Sequence, residues 1–182
     1  MTIDWRCALC VFFAVATTVA AARDVVHVRL QDRLDRPRDG YCLDIVGTGS
    51  NLRLDLPLFA HNCKSGPTPD SSVRVSREGW LRFPGPGVCV TAFGVNNTVL
   101  PGTAVLLRPC GHQSAFFDAS RLQRFDWQSN GQLRLRGFDV CLSVGEDSAE
   151  TFSPADRWRV LLLARCTEVP LRLSAWERAP LR

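Results

Sequence analysis

The sequence predicts a closed all-β domain with pseudo-threefold symmetry, on three observations. Six cysteines form three pairs whose members are 21, 21 and 25 residues apart. Similar text recurs around each first cysteine at intervals of about fifty residues. Short runs of alternating apolar and polar residues, separated by turns rich in Gly and Pro, are typical of β-strands. The pairs are Cys42 and Cys63, Cys89 and Cys110, and Cys141 and Cys166.

Each repeat contains the same two stretches of text. The first cysteine lies in GYCLDIV, GVCVTAF and DVCLSVG, and the second closes LPLFAHNC, AVLLRPC and RVLLLARC. Alternating leucines predict a strand over residues 52–58, and similar alternation predicts strands at 81–83 and 133–135. Three repeats are too few for a propeller or a solenoid, so a closed body that leaves no exposed strand edges is favoured.

Disulfide bonds explain how a chain so rich in turns can remain folded. Pairing within each repeat preserves the symmetry and predicts the bridges Cys42–Cys63, Cys89–Cys110 and Cys141–Cys166. The alternative is a set of bridges between repeats. Each bridge within a repeat closes a short loop and is expected to contribute ~3 kcal/mol in the chain-entropy model.

The amino-terminal segment favours an oxidising compartment. An uncharged apolar stretch from Cys7 to Ala22 ends in small residues and is shorter than the ~20 residues of a membrane span. We interpret 1–22 as a signal peptide and 23–182 as one domain, secreted or periplasmic, with no membrane span in the mature chain. The alternative for the leader is a buried apolar helix. Cys7 and Cys10 leave with the leader.

Charge and motifs exclude several functional classes. The net charge is +4, and the basic residues are interspersed with acids, so nucleic-acid binding has little support. Every mature cysteine is needed for a bridge, which leaves no thiol nucleophile. Neither an HExxH zinc motif nor a GxSxG elbow occurs in the sequence. We therefore expect no metal, no cofactor and no enzymatic activity in this chain, although carboxylate pairs brought together by the fold remain an alternative.

The repeated text resembles the ricin B-type β-trefoil lectins, over residues 26–180. That family carries a C-L-D motif near the start of each unit and a Q-x-W motif near its end. Cys42-Leu43-Asp44 matches the first motif, and Gln123-Arg124-Phe125 matches the second with Phe for Trp. The resemblance implies a β-trefoil of three repeats, with one disulfide in each. It also implies that Phe125 and its counterparts Val73 and Leu173 pack in the core.

The resemblance places a galactose-type sugar site in the first repeat. Asp44 would supply the carboxylate that accepts hydrogen bonds from sugar hydroxyls. His61 holds the position of the stacking ring, and Phe59 lies two residues earlier on the same face of an extended strand. Asp70 stands where the family commonly has an amide, and Asn62 is a further polar candidate. Ordinary turn, surface or strand-end roles for Asp44, His61 and Asp70 are the alternatives.

The other two repeats lack the residues of such a site. Thr91 and Ser143 replace the aspartate, and Arg108 and Ala164 replace the ring. The first functional hypothesis is therefore a secreted carbohydrate-binding module with one weak site, whose partner is a glycan. The second is a trefoil without sugar binding that acts as an interaction or targeting subunit of a toxin or enzyme complex, whose partner is a separate protein.

Overall fold

The computed structural model describes residues 25–181, so the predicted signal peptide lies outside the described residues. Within this range the chain forms short strands, two four-residue helices and one 3-10 turn at Gly49–Asn51. No helix in residues 25–181 has the length and apolar character needed to cross a membrane. The first repeat contains β1 (Val25–Leu30), β2 (Tyr41–Asp44), β3 (Phe59–Asn62) and β4 (Val73–Val75).

The second and third repeats contain the same four strands with short additions. The second has β5 (Leu81–Phe83), β6 (Val88–Ala92), β7 (Val105–Pro109), β8 (Gln113–Ser114), β9 (Phe117–Asp118), α1 (Ala119–Leu122) and β10 (Phe125–Trp127). The third has β11 (Leu133–Leu135), β12 (Val140–Val144), β13 (Ala149–Glu150), β14 (Arg157–Arg165), α2 (Leu171–Ser174) and β15 (Trp176–Ala179).

The strand pairing confirms the threefold arrangement. Within each repeat the first strand pairs with the second, and the second pairs with the third, always antiparallel. The last strand of each repeat pairs with the first strand of the next, and β15 returns to β1, from His27 opposite Ala179 to Leu30 opposite Trp176. The chain is therefore an all-β, three-repeat β-trefoil, as the sequence predicts.

All three disulfides lie within repeats, which confirms the predicted pairing over the alternative of bridges between repeats. They join Cys42 to Cys63, Cys89 to Cys110 and Cys141 to Cys166. In each repeat the first cysteine sits opposite an arginine of the preceding strand: Arg29, Arg82 or Arg134.

The core is built from equivalent positions of the three repeats. The residue after each first cysteine is fully buried in one apolar cluster, and these residues are Leu43, Val90 and Leu142. The strands predicted at 81–83 and 133–135 are present as β5 and β11, with both outer residues buried and the central arginine exposed.

The strand predicted over residues 52–58 is wrong, because this segment is a loop and β3 begins only at Phe59. Gly47 has φ +97, and a Cβ there would lie 2.1 Å from the Asn51 carbonyl oxygen, so the chain turns tightly before the leucines. Leu58 donates its backbone N–H to Val105 of the second repeat at 2.8 Å. The loop thus crosses to the neighbouring repeat, and Leu54 is left exposed.

The Q-x-W position of the third repeat is Trp176 rather than Leu173. The backbone N–H groups of Phe125 and Trp176 donate to the carbonyls of Gly79 and Gly131, each at 2.9 Å, which makes the two aromatic residues equivalent. The two glycines have φ +92 and +88, and a Cβ on Gly79 would lie 2.7 Å from the Phe125 carbonyl oxygen. Leu173 is still buried in the core, as expected.

Gln123 of the second repeat has a structural role. It is fully buried, donates from Nε2 to Thr91 Oγ1 at 2.9 Å and to the Pro109 carbonyl at 3.1 Å, and accepts from Gly111 N at 3.0 Å. We expect Gln123→Ala to cost about 2 kcal/mol of unfolding free energy, since it removes a fully buried side chain and leaves the buried Thr91 hydroxyl and two backbone groups without this partner. Urea denaturation would measure this, with the exposed Gln113→Ala as control. Equal losses from the two variants would contradict the assignment.

Candidate functional site

The residue two positions after the first cysteine has a different environment in each repeat. In the second repeat Thr91 is buried, donates to the Cys89 carbonyl and accepts from Gln123. In the third, Ser143 is buried and donates to the Leu173 carbonyl at 3.1 Å. Both hydroxyls therefore serve internal hydrogen bonds. Only the first repeat places a carboxylate, Asp44, at this position.

Asp44 forms one cluster with Asp70 and Lys64. Lys64 Nζ lies 2.8 Å from Asp44 Oδ2 and forms a hydrogen bond with Asp70 Oδ2. The side chains of both acids are almost completely buried, whereas that of Lys64 is 28% exposed. His61 Nδ1 is 3.9 Å from Asp44 Oδ2. The fold thus gathers the predicted Asp44, His61 and Asp70 around a lysine that the motif comparison did not single out.

The cluster distributes charge unequally between its acids. Burial raises the pKa of Asp44 to about 8, even though Lys64 opposes this shift. Burial also acts to raise the pKa of Asp70, but the hydrogen bonds from Lys64 and Thr68 outweigh it and the pKa falls. At neutral pH the cluster therefore contains a Lys64–Asp70 ion pair beside a largely protonated Asp44.

The pKa values of His61 and Lys64 are shifted in opposite directions. Burial, followed by the charge of Lys64, lowers the pKa of His61, so its imidazole is neutral at pH 7. Burial alone would lower the pKa of Lys64, but the two carboxylates outweigh it and raise the pKa above its usual value. Lys64 is therefore the cationic member of the cluster.

An aromatic wall formed by Phe59, His61 and Trp158 lies beside the cluster. On β3, Phe59 and His61 point to one face, and β14 places Trp158 opposite His61 and Val160 opposite Phe59. The ring of Phe59 is 5.5 Å from that of His61 and 6.2 Å from that of Trp158, centroid to centroid. Side chains paired across strands share a face of the sheet, so this wall combines the first and third repeats.

The aromatic wall borders a groove of about 960 Å³. Its other sides are mainly apolar, and Lys64 and Asp156 are its charged residues. Phe152, at the tip of the β13–β14 hairpin, is fully exposed at its edge, and Val160 is half-exposed. The groove therefore offers aromatic surface with charged groups close by. Further lining residues are Thr48, Asn51, Leu56 and Pro57.

Of the predicted site residues, Phe59 and His61 line the groove directly. Asp44 and Asp70 are buried behind Lys64. Asn62 is separated from the groove. It follows His61 on β3, so its side chain points to the other face of the strand. Its Oδ1 accepts a hydrogen bond from Arg157 N at 3.1 Å and thereby braces β14.

An ion pair between buried Arg159 and exposed Asp35 holds β14 in place behind the wall. Arg159 Nη2 lies 2.6 Å from Asp35 Oδ1, and Tyr41 Oη donates to the same oxygen at 2.8 Å. Arg157 Nε is 3.2 Å from Asp35 Oδ2. Burial would raise the pKa of Asp35, but hydrogen bonds from Arg159, Ser148 and Tyr41 outweigh it and lower the pKa. These contacts fix Trp158 between the two arginines.

Two residues of the site, Lys64 and Trp158, do not belong to the sequence motifs. Lys64 had a visible signal, because it is the only lysine in the chain and directly follows Cys63. Trp158 had none, because its proximity to His61 depends on the pairing of β3 with β14, across nearly one hundred residues.

Comparison with known proteins places the chain in the class of β-trefoil domains. No protein-family model matches the sequence, and no curated protein does. Solved structures do match its fold. One is the Vibrio vulnificus hemolysin/cytolysin β-trefoil lectin with bound N-acetyl-D-lactosamine, at TM-score 0.56 and 14% identity, over 87% of this chain and 96% of the lectin.

Two further structures share the fold. The mdaA-1 domain, solved in solution, aligns at TM-score 0.58 and 14% identity, over 87% of this chain and 91% of that domain. The Haemophilus ducreyi cytolethal distending toxin aligns at TM-score 0.54 and 13% identity, over 91% of this chain and 88% of the toxin chain. At these identities the similarity establishes the fold.

Proposed function

We propose that this protein is a glycan-binding β-trefoil module whose sugar site is the groove bordered by the first and third repeats. The observation that carries the proposal is the aromatic wall of Phe59, His61 and Trp158 beside the Lys64 cluster. Aromatic rings cover the apolar face of a pyranose, and charged groups nearby bind its polar substituents. The sugar-bound Vibrio lectin of the same fold supports this proposal.

We also propose that the protein belongs to the ricin B-type lectins and is secreted. The triple cysteine register and the C-L-D motif support membership of the ricin B-type lectins. Three disulfides are typical of extracytoplasmic proteins and support secretion. The module binds without catalysis, and any associated enzymatic activity belongs to a separate chain.

Truncating the rings of the aromatic wall should weaken glycan binding while the protein still folds. We expect Trp158→Ala to weaken the best-binding glycan about tenfold, because the sugar loses a stacking surface, and Phe59→Ala to add to this loss. A glycan array followed by calorimetric titration measures the effect. The control is Phe116→Ala, at an exposed phenylalanine outside the groove. Absence of saturable binding by the refolded, disulfide-intact protein would overturn the proposal.

The second candidate is an interaction subunit of a larger assembly. It is favoured by the apolar edge of the groove, where Phe152 is fully exposed and Val160 half-exposed. The fold shared with a cytolethal distending toxin supports it. Co-purification from the native source would test it: a stoichiometric protein partner that Phe152→Ser releases supports this candidate, and recovery of glycans alone contradicts it.

A further inference from the structure

We propose that Lys64, rather than Asp44, is the polar side chain that contacts the ligand, and that the ligand presents an acetamido group to it. This inference rests on the proposed function and specifies the chemistry of the same groove. It would make an N-acetylated hexosamine the preferred sugar.

Asp44 lies behind the surface that a ligand can reach. Its side chain has no exposed area, and Lys64 Nζ occupies the space 2.8 Å from its Oδ2. Since burial raises its pKa to about 8, Asp44 is also a weak acceptor for sugar hydroxyls at neutral pH. Its role is therefore to position the lysine.

Lys64 has one donor left for a ligand. An ammonium group carries three N–H donors, and the contacts with Asp44 and Asp70 account for two. The side chain lines the groove and is partly exposed. The third N–H can therefore meet a hydrogen-bond acceptor on a bound sugar.

The surroundings favour an uncharged acceptor. Asp70 and Asp156 disfavour a ligand carboxylate, whereas Lys64 repels a ligand ammonium. Leu56, Pro57 and Val160 offer apolar surface to a small methyl group. An acetamido group combines a neutral carbonyl acceptor with a methyl group, which suits this combination of one donor and apolar walls.

Three matched sugars test the inference by calorimetric titration: N-acetylgalactosamine, galactose and galactosamine, which differ only at one substituent. We expect N-acetylgalactosamine to bind about tenfold more tightly than galactose, as a hydrogen bond to a charged donor would give. Galactosamine should bind most weakly, because its ammonium faces Lys64. A site based on an exposed Asp44 carboxylate predicts instead that galactosamine binds most tightly, because its ammonium is attracted to that charge.

Variants separate the contribution of Lys64 to sugar binding from that of the aromatic wall. In Lys64→Met the preference for the acetamido sugar should disappear, so that N-acetylgalactosamine and galactose bind about equally. Lys64→Arg should retain part of the preference. Phe59→Ala should weaken all three sugars by a similar factor and keep their order. Because Lys64→Met leaves two buried acids unpaired and could unfold, the wild-type protein labelled with [13C]lysine provides a second measurement. Its only lysine gives one assigned side-chain NMR signal, which N-acetylgalactosamine should shift.

The outcomes distinguish this inference from the proposed function. Tightest binding of galactosamine, an unchanged preference in Lys64→Met, or a lysine signal that no sugar shifts would overturn the role of Lys64 while sugar binding stands. The role of Lys64 would also be overturned if the protein preferred N-acetylneuraminic acid and this preference disappeared once the carboxylate of that sugar was removed. Absence of binding to every glycan would overturn both.

Discussion

Replacing Trp176 with alanine is expected to lower the free energy of unfolding by about 3–5 kcal/mol. The side chain has no exposed surface and is the largest fully buried one in the described part of the chain. Its Nε1 donates to the Leu142 carbonyl at 2.9 Å, so the variant creates a cavity and also leaves that buried carbonyl without its partner. The loss falls where the third repeat closes onto the first, through β15 and β1.

Urea denaturation measured by circular dichroism would test this expectation. The matched control is Trp158→Ala, which removes the same side chain from the half-buried wall of the groove and should cost about 1 kcal/mol. Similar losses from the two variants would contradict the assignment of Trp176 to the core and of Trp158 to the ligand site.

The second expectation concerns Asp44→Asn, which should stabilise the protein increasingly as pH rises from about 6.5 to 8. Burial raises the folded-state pKa of Asp44 to about 8. A raised folded pKa contributes stability that is fully present below the unfolded pKa and is lost as pH rises through the folded pKa. Asparagine does not titrate, so the difference between variant and wild type should grow, by at most about 1.4 kcal/mol per pH unit.

The window from about pH 6.5 to 8 is chosen because the groups around Asp44 do not change their charge within it. Lys64 and Asp70 keep their charges throughout, because the pKa of Lys64 is raised and that of Asp70 is lowered. The pKa of His61 is lowered, so this residue titrates below the window. Urea denaturation at half-unit pH intervals measures the difference.

The control for this series is Asp55→Asn. The pKa of this exposed carboxylate is lowered by its hydrogen bond from Arg53, so the difference it produces should stay flat across the same window. A flat difference for Asp44→Asn as well, or one that falls with pH, would show that Asp44 is ionised in the folded protein.

The disulfide register and the threefold fold could be predicted because they depend on residues that repeat along the chain. Cysteine spacing also identified the first repeat as the one with a carboxylate. By contrast, alternation alone misassigned residues 52–58, because the hydrogen bond of Leu58 to Val105 is a tertiary constraint that the pattern does not record. The third Q-x-W position was misaligned because Trp176 lies three residues beyond Leu173, after the short helix α2.

The candidate site was predictable only in part, for a similar reason. Phe59, His61, Asp44 and Asp70 lie in one repeat, so motif spacing was sufficient to find them. The contact of Lys64 with Asp44 depends on how the chain folds after Cys63. The contribution of β14 depends on pairing between distant strands, which no local pattern records.

The placement of the three disulfides has a consequence for how the molecule can be re-engineered. None of them joins one repeat to another, and the ring closes through strand pairing alone, with His27 beside Ala179. The first and last described strands are therefore neighbours. A circular permutant that links them and opens the turn between β4 and β5 would keep every cross-link, and would present fusion partners at a new position on the surface.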